Sequence, residues 1–142
     1  MKIQYASDIH LELSDNLRFI KSEPFEVTGD VLVFAGDTGY LRDRTLPNLR
    51  FWKWASANYR EVLLVPGNHE FYGNGDVLAY GDSWSREILH NVHYYQNKVV
   101  RIDNVGVIKV SIRCKKHLIS VKFVIHSFFI LPHPCVVNTK SY

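Results

Sequence analysis

Cysteine is almost missing from this chain: two in 142 residues, Cys114 and Cys135, with 20 residues between them. That count excludes a disulfide framework, and the spacing is not the paired spacing of a zinc ribbon, so free thiols in a reducing compartment are expected. Acidic residues are missing from one part only. Residues 1–103 hold 11 Lys+Arg and 14 Asp+Glu, a net of −3, whereas residues 104–142 hold six Lys+Arg and no acid, a net of +6. The sequence therefore divides into 1–103 and an atypical basic, apolar tail, 104–142. Six charges dispersed among apolar residues make a poor phosphate-backbone patch, so nucleic-acid binding is not indicated. Long hydrophobic runs are missing too. The longest, residues 118–131, has 14 residues interrupted by Lys122 and His126, short of the about 20 that span a bilayer, and reads as a strand. No charged segment with an apolar leader opens the chain, so no membrane association and a cytoplasmic location are expected. With 46% hydrophobic residues and 13% aromatics, the composition is globular.

What the chain does have is three polar clusters, each directly after an apolar, β-branched run. "KIQYAS" precedes Asp8-Ile9-His10, "DVLVFA" precedes Gly36-Asp37, and "EVLLVP" precedes Gly67-Asn68-His69-Glu70. The runs read as strands buried on both faces, as in a parallel sheet. Asp8 lies 29 residues before Asp37, which lies 31 before Asn68, about one strand-crossover-strand unit each. Such strands bring their carboxyl ends to one edge, where open α/β sheets hold ligands. Aspartate oxygen, imidazole nitrogen and amide oxygen form a mixed set without thiolate, suited to Mn, Fe, Zn or Ni. A bridging carboxylate such as Asp37 also suits two-metal sites, which clamp both oxygens of a phosphoryl displacement.

Together, "DIH", "AGD" and "PGNHE" resemble the first three motifs of the calcineurin-like metallophosphoesterase family. The resemblance implies an α/β fold, a β-sandwich flanked by helices, and hydrolysis of phosphate mono- or diesters with two divalent metal ions. By the same resemblance, Asp8 and His10 would hold the first metal, Asp37 would bridge both, and Asn68 would bind the second. His69 would touch the scissile phosphate with Asn68 and assist the leaving group, and Glu70 would orient the His69 imidazole. Many members carry Asp where this chain has Glu70.

The later family motifs are not found. No Gly-His-x-His occurs, and the last glycine is Gly106. His126, after the strand-like "VKFVI", is the candidate for the histidine that precedes that motif. The expectation is a truncated or impaired form whose second sheet is incomplete, with an exposed apolar face that invites oligomerisation. The alternative is a noncatalytic metal-binding or partner-binding remnant of the fold.

Between the motifs, residues 11–29 read as a loop. A helix is expected after Thr45 and Pro47, with Leu49, Trp52 and Tyr59 inward and Phe51 and Trp54 on its flanks. Residues 71–81, with three glycines and two tyrosines, read as a loop lining a substrate entrance. A second helix is expected over 83–91, with Trp84, Ile88 and Leu89 inward, and His90 and His93 as surface or packing residues. Strands at 93–96, 98–103 and 105–112 would open the second sheet.

Overall fold

A computed structural model of the chain describes residues 1–22, 25–43, 49–72, 77–102, 106–115 and 118–125. The three apolar runs form β1 (Ile3–Ala6), β2 (Val31–Ala35) and β3 (Glu61–Val65). They lie side by side and parallel, with Tyr5 opposite Val33 and Val33 opposite Leu63. Helix α1 spans Ser14–Ser22 and α2 spans Arg50–Asn58. Then come β4 (Trp84–Leu89) and β5 (Val92–Gln96), an antiparallel hairpin whose second strand runs parallel to β3. The resulting five-stranded sheet has the order β1-β2-β3-β5-β4. A second sheet is antiparallel, built from β6 (Lys98–Ile102), β7 (Gly106–Lys115) and β8 (Leu118–Ile125).

Why the runs carry no polar alternation is visible in the packing. On β2 and β3, Leu32, Phe34, Val62 and Leu64 face the helix side, where they meet Phe51, Trp52 and Ala55 of α2. The alternate residues Val31, Val33, Leu63 and Val65 face the other way and bury against Ile102 and Val100 of β6. Each strand thus fills two cores at once. The aromatic rings of Phe34, Phe51 and Trp52 meet edge to face at centroid separations of 4.9–5.9 Å, the arrangement their quadrupoles favour.

The structure corrects four expectations from the sequence. Residues 11–29 are not all loop, because "SDNLRFIKS" forms α1, with Asp15 in its first turn and Lys21 in its last. Charges so placed complement the helix dipole. Residues 83–91 are not a helix. Trp84 and Ile88, four apart, share a face of a strand as well as a face of a helix, and pairing with β5 takes the strand option. Phe51 is buried in the core rather than flanking it. Residues 93–96 belong to the first sheet, not the second. Thr45, Pro47 and His126 lie outside the described residues. Among the described residues, no helix is long and apolar enough to cross a membrane.

Asn91, the last residue of the helix expected over 83–91, instead joins the β4–β5 hairpin to α2. Its amide nitrogen donates to the carbonyls of Ser56 and Tyr59 at 3.0 and 2.9 Å, and its oxygen accepts from the Ser56 hydroxyl at 2.5 Å. Carbonyls at a helix end have no partner within the helix, and this buried side chain supplies one. Asn91→Ala is expected to destabilise the chain by about 2–3 kcal/mol, measured as a lower midpoint of urea denaturation.

Candidate metal centre

The loops after β1, β2 and β3 meet at the carboxyl edge of the sheet and continue its pairing as a backbone lattice. Asp8 N–H donates to the Gly36 carbonyl at 3.1 Å, His10 N–H to that of Asp37 at 3.0 Å, and Leu11 N–H to that of Thr38 at 2.9 Å. Along the first loop Ile9 and Leu11 are buried in the core. The alternate residues, Asp8, His10 and Glu12, are thereby left for the opposite side. One ligand atom each from Asp8, His10 and Asp37 lies within 4.8 Å of the others. These three also have left-handed backbones, with φ of 57°, 43° and 54°. A non-glycine residue in that region costs free energy, and such residues gather at functional sites.

Asp37 is fixed from several directions. Its Oδ1 accepts the His69 N–H at 2.9 Å, and its carboxylate lies directly over Gly67. A Cβ at position 67 would stand 2.3 Å from Asp37 Oδ1 and 2.7 Å from Asp37 N, so only glycine fits beneath the aspartate. Gly67→Ala must therefore push the carboxylate aside. The expected result is metal affinity weakened about 10–100-fold, read by calorimetric titration with Mn.

Asn68 stands half-buried on the same edge, its amide nitrogen donating to the Tyr72 hydroxyl at 2.6 Å. Its carbonyl oxygen remains as the atom an amide offers a cation. Tyr72 also leans on the His69 ring, at a centroid distance of 4.6 Å. Of the two tyrosines expected at an entrance over 71–81, Tyr72 is at the site. Tyr80 packs instead on Phe71 and Trp84.

Glu70 does not orient the His69 ring. Its buried carboxylate turns the other way and accepts the N–H groups of Asp37 (3.1 Å), Thr38 (2.7 Å) and Gly67 (2.6 Å) and the Thr38 hydroxyl (2.8 Å). The buried Tyr94 hydroxyl touches Thr38 Oγ1 and also reaches Glu70 Oε1, to which it donates at 3.4 Å. Glu70 is thus a stitch between the second and third loops. Burial pushes its carboxyl pKa up, the Thr38 and Gly67 donors pull it down, and Asp37 nearby pushes it up again, with a net rise. Burial, followed by the Glu70 charge, holds the Tyr94 phenol well above its usual range.

The carboxylate that does touch the His69 ring is Glu12, whose Oε1 lies 3.0 Å from His69 Nδ1 and 3.0 Å from His10 Nδ1. Glu12, Thr38 and Tyr94 are the residues that the motif reading passed over. Glu12 carried a signal, the alternation Asp8, His10, Glu12 in a stretch whose other residues are apolar. Two carboxylates and an imidazole clustered at a sheet edge, beside an amide oxygen, fit a divalent ion of intermediate softness.

The family model for calcineurin-like phosphoesterases matches residues 1–138. The chain belongs to that family. The match runs across the change of charge at residue 104, and the five-stranded sheet flanked by two helices agrees with the α/β fold of calcineurin-like phosphoesterases. A curated relative, the uncharacterized protein L509 of Acanthamoeba polyphaga mimivirus, is 25% identical over 121 residues, covering 75% of this chain and 42% of the relative. This chain therefore spans less than half the length of the curated relative it matches. No solved structure matches it significantly.

Proposed function

We propose that the chain hydrolyses phosphate mono- or diesters with two divalent metal ions, the first held by Asp8, His10 and Asp37 and the second by Asp37 and Asn68. The observation that carries this reading is the convergence of the Asp8, His10 and Asp37 ligand atoms within 4.8 Å of one another on three left-handed residues. Bound metal ions supply Lewis-acid polarisation of the phosphoryl group and an acidified water. The chain's own residues do the rest. Asp37 sets the spacing of the cluster through its bond to the His69 backbone, which carries the His69 ring to the same edge. His69 would meet the phosphate and, with a second proton on Nε2 while Glu12 keeps the one on Nδ1, would give the Nε2 proton to the leaving oxygen; Tyr72 leans on its ring. Asn68 would present its amide oxygen to the second ion and its nitrogen to Tyr72.

The test is release of nitrophenolate from bis(p-nitrophenyl) phosphate and from p-nitrophenyl phosphate with Mn, beside an Asp8→Ala chain. Mn-dependent release that the Asp8→Ala chain loses is expected, and the preferred substrate separates diesterase from monoesterase. The absence of a Gly-His-x-His segment favours one alternative, a metal-binding chain without turnover. Bound Mn with no release from either ester would establish that alternative instead.

A further inference from the structure

We infer that Glu12 is a positioning residue that locks His10 and His69 into the same tautomer through one carboxylate oxygen. Its Oε1 lies 3.0 Å from Nδ1 of each ring, and its side chain is 6% exposed. A carboxylate only accepts, so each Nδ1 must carry the hydrogen. A neutral imidazole has a single N–H, which leaves Nε2 of each ring as the one nitrogen with a lone pair. The two rings are held edge to face at a centroid distance of 4.3 Å, so they cannot rotate independently about their shared anchor. The outer partner of a metal-binding histidine fixes its tautomer and ring orientation in this way. Here one carboxylate serves the ring proposed to bind metal and the ring proposed to meet the phosphate.

Gly39 packs beside this clamp at ordinary contact distance. A Cβ there would stand 3.6 Å from Glu12 Oε2 and 3.9 Å from Glu12 N. Among the described residues, Oε2 itself is buried with no hydrogen-bond partner. Both ring contacts fall on Oε1, although a second oxygen was available. Convergence on a single atom ties the two rings to one another, since a displacement of Glu12 that frees one frees the other.

What the two imidazoles do rests on the proposed function, whereas their tautomers rest on geometry alone, and the experiment keeps the two apart. Long-range nitrogen–proton correlation spectra of the metal-free full chain, at about pH 8 and so above the ordinary imidazole pKa of about 6.5, report which nitrogen carries the proton. Both rings are expected as the Nδ1–H form. In Glu12→Ala at least one ring should shift toward Nε2–H, while Glu12→Gln, which keeps an acceptor oxygen at the same reach, should retain Nδ1–H on at least one. Mn affinity should weaken about 10–100-fold in Glu12→Ala and recover in part in Glu12→Gln, with kcat falling more than KM wherever turnover is measurable. An Nε2–H ring in the wild-type chain, or unchanged tautomers in Glu12→Ala, would overturn the inference. Disappearance of a whole Mn site in both variants would also overturn it, making Glu12 a direct ligand, since His10, Glu12 and His69 each offer one ligand atom within 4.8 Å of the others. If Glu12→Ala does not fold, the Glu12→Gln spectra and the wild-type tautomers decide. Correct tautomers without ester hydrolysis would remove the proposed function and leave the clamp standing.

Discussion

Asp37→Ala is expected to abolish metal binding and to lower metal-dependent ester hydrolysis about a thousandfold. The carboxylate does two things at once. It groups with Asp8 and His10 as a candidate ligand set, and its Oδ1 holds the backbone N–H of His69 at 2.9 Å. Losing the first removes transition-state charge stabilisation worth several kcal/mol, and each 1.36 kcal/mol is a factor of ten in rate. Losing the second lets the third loop drift from the cluster. Alanine also tolerates the left-handed backbone at position 37, φ 54°, less well than aspartate does. Asp37→Asn separates these effects. Asparagine is at ease in that backbone and retains an oxygen for the His69 N–H, but brings no charge. Its melting temperature should stay near that of the wild type while Mn affinity collapses. Calorimetry and thermal denaturation on the same samples check both, and unaltered Mn affinity in Asp37→Asn would contradict the assignment of Asp37 as a ligand.

Glu70→Ala should cost stability more than any other single change at the site. Its carboxylate is 1% exposed and receives three backbone N–H groups and a hydroxyl, from Asp37, Thr38 and Gly67. Leaving a buried donor unsatisfied costs about 1–3 kcal/mol. Several donors orphaned together should lower stability by roughly 3–5 kcal/mol even with partial relaxation and entry of water. In a chain of this size that is a melting temperature lower by about 10 °C or more. Glu70→Gln should be nearly as damaging, because its amide N–H groups would meet N–H donors. Destabilisation by less than about 1 kcal/mol in both variants would show that the loops hold together without this stitch, against the usual cost of orphaned donors.

Much of the fold was legible because the strands are short, apolar on both faces and end in polar clusters. Those features located β1, β2 and β3 to within a residue or two, and with them Asp8, Asp37 and the turn at Gly67. The role of Glu70 was not legible, for a geometric reason. His69–Phe71 is one turn of 3-10 helix, where successive side chains point about 120° apart. Neighbours in sequence therefore face different ways: His69 turns to the cluster and Glu70 into the core. The partner of His69 came from Glu12, 57 positions earlier, a distance that only the folded chain closes. Trp84–Leu89 was misread because a spacing of four residues satisfies a helix face and a strand face alike, and only the pairing of β4 with β5 decides between them. Helix α1 was hidden by "LSDN", which reads as a turn although Ser14 and Asp15 begin a helix there.

Asp8, His10 and Asp37 are proposed to form a metal site at the carboxyl edge of the parallel sheet. Its most direct test is a crystal of the full chain grown with Mn, with anomalous diffraction locating the metal. An anomalous peak is expected within coordination distance of a carboxylate oxygen of Asp8, a carboxylate oxygen of Asp37 and a ring nitrogen of His10. A Mn ion bound elsewhere with these three residues left unliganded, or no ordered ion at saturating Mn, would contradict it.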